Sequence, residues 1–156
     1  MRIVPLPPNA ELEKMLQGLV QRDVKVKPGE GAPAAPLAVG LYRTDPPVQE
    51  VAALFELRLA GSLAASLTMV PLGAVREDLG AGMLEQSLRD NLAEVMNVLA
   101  RFVSMSGRRF GLASHWCPPE VPDAAVMKAA LASDEIRLVS VDVPGYLGGL
   151  IAFNTL

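Results

Sequence analysis

The chain is poor in the residues that build covalently stapled or metal-held scaffolds. Its 156 residues include one cysteine, one histidine and one tryptophan, and aromatic residues make up only 4%. A single cysteine allows no internal disulfide, which suits a reducing compartment. Basic residues are neither abundant nor clustered: 14 Lys and Arg face 17 Asp and Glu, for a net charge of −3. The basic face that phosphate-backbone binding demands is missing, so nucleic acid is not an expected ligand. Uninterrupted apolar runs are short as well. The N-terminal "MRIVPLPPN" carries too little apolar length for a signal peptide and is broken by Pro7-Pro8. The most apolar region, "VAALFELRLAGSLAASLTMV", holds Glu56 and Arg58 in its middle, each costing about 3 kcal/mol at a bilayer centre. The expectation is a soluble cytoplasmic protein with no membrane partner.

What is present is apolar aliphatic surface. Hydrophobic residues make up 51% of the chain and charged ones 20%, a globular composition that leans toward burying surface against a partner. The length matches one ordinary domain, taken as residues 1–156, with room for a core that needs no metal or disulfide. Apolar content and alternating strands near both ends point to self-association as a twofold dimer, the commonest way to cover spare strand edges.

Periodicity places the elements. "NAELEKMLQGLV", Asn9 to Val20, sets Leu12, Met15, Leu16 and Leu19 on one helical stripe, with Asn9 as N-cap. "DVKVKPG" alternates as an edge strand does and stops at Pro28-Gly29. "LAVGLYR" and "VQEVAALFELR" read as strands, and "GSLAASLTMV" as a third pairing back through a turn near Ala60-Gly61. After a mixed stretch beyond Pro71, a long helix runs from about Gly82 to Ser106, with Gly107 where a helix-ending glycine belongs. "RRFGLASHW" is a strand ended by Pro118-Pro119, and "DAAVMKAALA" a short Ala-rich helix. "EIRLVSVDV" and "GGLIAFNTL" form a closing hairpin around "PGYLG". Tight-turn spacing favours antiparallel pairing. The expected class is α+β, with one mostly antiparallel sheet of about six strands, two main helices packed on it, and two halves that each read helix then about three strands.

The long helix carries an unusual polar face. At about 100° per residue, with Asp90 set at zero, Glu94 falls near 40°, Asn97 near −20° and Arg101 near 20°. The apolar set Leu84, Leu88, Leu92, Val95, Leu99 and Phe102 lies on the opposite side, while Met96 and Val98 flank Asn97 and are expected to be partly exposed. Asp90 and Glu94 are like charges four apart, a mildly unfavourable pair. Asp and Asn are also mediocre formers of helix interiors. On helix physics alone such a row is more often a solvated face than a site.

The row, however, resembles the signature of the CheC/CheX/FliY family of chemotaxis phosphatases: Asp90, then Glu94, then Asn97, in "DNLAEVMN". The element order is similar over nearly the whole chain, and the single copy of the motif looks like CheX. The family's proline after the next strand has Pro118 and Pro119 one or two positions early, with Glu120 in its place, as a short loop deletion would leave. The resemblance implies a CheC-like fold and a phosphatase that removes the phosphoryl group from the phosphoaspartate of a CheY-type response-regulator receiver. Asn97 would position the attacking water and Glu94 would pair with the receiver's lysine, as the two catalytic residues. Asp90 and Arg101 would serve partner binding. No cofactor of its own is implied, since the Mg²⁺ belongs to the partner receiver. Two other readings stand beside it: a non-enzymatic module that docks a receiver or a flagellar-switch partner, and a structural homodimer whose row is plain surface.

Other features carry less. His115 and Cys117 lie two apart on the expected strand, facing the same way, but each is the only residue of its kind, and the bland reading is a buried thiol and a satisfied imidazole beside Trp116. No metal site is expected. "DLGAGM" lacks the Lys-Ser/Thr of a phosphate loop. Arg108-Arg109 reads as solvated charge at the start of a strand.

Overall fold

The computed structural model describes residues 4–105, 107–132 and 135–156. Six strands, β1 (Lys25–Pro28), β2 (Leu37–Arg43), β3 (Glu50–Glu56), β4 (Gly111–Trp116), β5 (Glu135–Asp142) and β6 (Gly149–Thr155), form one sheet in the order β1-β5-β6-β3-β2-β4. Every pairing is antiparallel. Exchanging the first three strands with the last three returns the same order read backwards, with β3 and β6 paired at the centre through Ala53 and Phe153. The repeated helix-plus-three-strand organisation is thus a pseudo-twofold of the sheet. The α+β architecture expected from the turn spacing is the one observed.

Helices α1 (Asn9–Val20), α2 (Leu57–Leu67) and α4 (Gln86–Ser104) cover one face of the sheet. Alternation along the central strands divides the core. Val51, Ala53, Phe55, Ile151 and Phe153 join the large cluster under these helices, while Ala52, Leu54 and Ala152 point the other way, toward α5 (Ala124–Ala132) and Trp116.

Several details correct the sequence reading. The segment expected to be the second strand of a hairpin is α2, and Ala60-Gly61, expected to turn, lies inside it. The segment is apolar nearly all round, and a short run of that kind fits a buried helix as well as a buried strand. The environment decides between them: a Cβ on Gly61 would stand 3.2 Å from Leu84 and Val75, so the glycine lets α2 approach its neighbours closely. The hydroxyls of Ser62 and Ser66 donate to the carbonyls of Arg58 and Leu63, partners that only a helix offers at that spacing. The mixed stretch is α3 (Leu72–Ala81), closed by Gly82 in the left-handed region at φ 72°. The long helix therefore begins at Gln86, after a turn in which the buried Asp78 carboxylate accepts the Glu85 N–H at 2.9 Å. At its far end Ser106 lies outside the described residues, and Gly107, at φ 128°, donates to the Ser104 carbonyl two residues past the cap position. Asn9 is the first residue of α1 and makes no capping bond; its Oδ1 accepts from Arg137 on β5 at 3.0 Å.

Candidate functional site: the outer face of the long helix

Helix α4 is held rigidly where the row lies. Leu88, Leu92, Val95, Leu99 and Phe102 are buried, as the angular reading requires. Met96 is buried too, contrary to expectation, because a helix lying on a broad sheet covers more than a narrow stripe. Its sulfur packs over Gly40, where a Cβ would come within 3.4 Å. Beside it the hydroxyl of Tyr42, fully buried on β2, donates to the Met96 carbonyl at 2.7 Å. Burial in this apolar layer pushes the Tyr42 pKa far above its ordinary value, so the phenol stays a donor. On the other flank the Asn91 amide donates to the Ala64 carbonyl and the Thr68 hydroxyl of the α2 end. Rotation and height of α4 are thereby fixed within a turn of the row.

Asp90, Glu94, Asn97 and Arg101 are all exposed. They differ in their engagement. Asp90 accepts from the Gln86 amide at 2.7 Å; Gln86 in turn accepts from Arg89, which lies 3.6 Å from Glu120. The side chains of Glu94, Asn97 and Arg101 have no hydrogen-bonding or ion-pair partner among the described residues. A carboxylate and a carboxamide are thus presented side by side, one turn apart, free to bind something outside the chain. Next to them lies an open groove of about 720 Å³ bounded by Asn97, Arg101, Ser104, Arg109 and Phe110.

The remaining candidates separate. His115 is exposed on β4, while Cys117 lies past the strand end and is buried, so the two do not share a face. Burial pushes the Cys117 thiol up to about 11, leaving it protonated and unreactive near neutrality. No group of three His, Cys, Asp or Glu able to hold a metal occurs among the described residues. Of the two adjacent arginines, Arg109 has no side-chain partner among the described residues, whereas Arg108 donates to the carbonyls of Asp45 and Pro47 and clamps the β2–β3 turn, a tie between distant segments that local sequence does not signal. No helix among the described residues is long and apolar enough to cross a membrane.

No family model and no curated protein matches the chain. Solved structures do. The middle domain of FliM from V. alginolyticus superposes with a TM-score of 0.63 at 12% identity, covering 94% of this chain and 86% of that one. The fold is that of a FliM middle domain. A chain of the FliG–FliM complex from H. pylori matches with a TM-score of 0.55 at 11% identity, over 92% of this chain and 84% of that one. A CheC-like chemotactic protein from Shewanella oneidensis is also similar, with a TM-score of 0.44 at 12% identity over 94% and 92% of the two chains.

Proposed function

We propose that the chain hydrolyses the phosphoaspartate of a CheY-type receiver domain, using Glu94 and Asn97. The carrying observation is that these two side chains stand exposed, without a partner among the described residues, one turn apart on a helix locked in rotation by Tyr42 and Asn91. An amide can accept from and donate to one water without titrating, so Asn97 suits the task of holding a nucleophilic water in line with the phosphorus. Attack by that water forms a new P–O bond, breaks the bond to the aspartyl oxygen, and releases inorganic phosphate and a free carboxylate. The receiver's own Mg²⁺ and lysine would supply the countercharge for the transferring group. Glu94 pairs with that lysine and sets the docking register, while Asp90, tied to Gln86, borders the contact. A receiver partner places the protein in the cytoplasm. Self-association belongs to the same proposal: edge strand β1 is guarded by Lys25, Lys27 and Pro28, whereas β4 leaves the other edge unguarded. Light scattering at micromolar concentration would return twice the chain mass; a single-chain mass removes that part.

A docking role without hydrolysis is the second reading, favoured by the FliG–FliM complex, in which a chain of this fold is bound to another protein. Turnover separates the two. Phosphate release is followed from a panel of phosphorylated receivers of the same genome. Acceleration of one or more supports the phosphatase; stable binding with no acceleration leaves the docking module.

A further inference from the structure

The groove beside Asn97 is the first part of a longer trough. A second hollow, bounded by Glu11, Lys14 and Met15, shares Arg101 and Met105 with it, and a third, against Pro5–Pro8, shares Glu11 and Met105. Met105 lies where all three meet and is 51% exposed, one of few large apolar side chains left open among the described residues. In a chain of net charge −3, the described lining of the first groove has two arginines, Arg101 and Arg109, and no acid. Neither guanidinium has an ion-pair partner among the described residues. The outer face of α4 is therefore polarised: acidic at Asp90 and Glu94, basic at Arg101 with Arg109 opposite, and Asn97 at the boundary.

We propose that this trough takes an acidic segment of the partner protein bearing one apolar side chain, with carboxylates on Arg101 and Arg109 and the apolar group on Met105. The thioether is adaptable enough to seat a partner's side chain without a preformed pocket, and arginine offers paired donors to each carboxylate. From Asn97 to Met105 the helix rises about 12 Å, the reach of three or four extended residues. Arg101, Arg109 and Lys14, with Glu11 lining the second and third hollows, fit such a segment and fall short of the many phosphate contacts that a nucleic acid needs. The inference rests on the proposed function in assigning the segment to the receiver, next to its phosphoaspartate.

The test separates the two. A fluorescein-labelled peptide of Asp and Glu around one Leu is titrated by anisotropy against wild type, R101E/R109E and M105A, each checked for an unchanged melting curve. The proposal expects binding by wild type and a roughly tenfold loss in R101E/R109E at low salt, shrinking as salt is added. It expects a smaller, salt-independent loss in M105A. Failure of wild type to bind, or equal binding by R101E/R109E, overturns it. Peptide binding without faster receiver decay would keep the trough and remove the phosphatase; faster decay without peptide binding would do the reverse.

Discussion

Helices α1 and α4 hold matching places in the two halves of the chain, each leading into three strands of the same sheet, yet they spend their polar side chains differently. In α1 the Glu13 carboxylate accepts the Val26 N–H of edge strand β1 at 2.9 Å, the Gln17 amide donates to the Val24 carbonyl at 2.9 Å, and Asn9 meets Arg137. These bonds hold the fold. In α4 the middle of the outer face is left unspent: Glu94, Asn97 and Arg101 bond to nothing among the described residues, while Asn91 and the Met96 carbonyl fix the helix from its sides. One copy of the repeat has become structure, and the other keeps free groups on a rigid support.

Core substitutions should treat the two helices alike. Leu16→Ala and Leu92→Ala each remove a fully enclosed side chain, 0% and 1% exposed, and each should cost about 2–5 kcal/mol in denaturant unfolding. A much smaller loss at Leu92 would mean that α4 is not a core helix. Polar substitutions should then split them. Glu13→Ala leaves the Val26 N–H without its partner and should cost about 1 kcal/mol, whereas Glu94→Ala should stay within about 0.5 kcal/mol. Equal costs would erase the distinction between tied and free groups. Tyr42→Phe removes the brace under Asn97 and should cost about 1 kcal/mol.

Acid extends the same contrast to a carboxylate at the junction of the halves. Burial alone would raise the pKa of Glu56, but the N–H groups of Ala34 and Leu150 and the Arg58 guanidinium outweigh it and hold the group below its usual 4.5. Its contribution to stability is therefore present above that ordinary value and is lost as pH falls through the lower folded one. Denaturant titrations over an acid series should show this limb in wild type and a flatter one in Glu56→Gln; parallel limbs would contradict it. Smallest of all is Asn97→Ala, expected to leave the melting temperature unchanged or slightly raised, since alanine is the better helix former.

Much of the architecture was legible locally. Both main helices and all six strands follow from period and turn chemistry, and the angular reading of α4 predicted the exposure of the four residues in the row. What escaped it depends on distance along the chain. The helical state of 57–67 is decided by Val75 and Leu84 pressing on Gly61. The brace on Asn97 joins residues 54 apart, Tyr42 and Met96. Arg109 faces the groove of Arg101 only because the chain beyond α4 folds back toward β4. Periodicity describes a face but not what is brought opposite it.

The most direct test of the account is the decay of phosphorylated receivers from the same genome with wild type, Asn97→Ala, Glu94→Ala and, as the matching position of the other helix, Glu13→Ala. The account predicts that wild type accelerates decay of at least one receiver. Asn97→Ala should abolish the acceleration with folding and receiver binding intact, and Glu94→Ala should weaken binding more at low salt than at high. Glu13→Ala should hydrolyse normally wherever it remains folded. Decay unchanged by both α4 substitutions would contradict the account and leave the row as solvated surface.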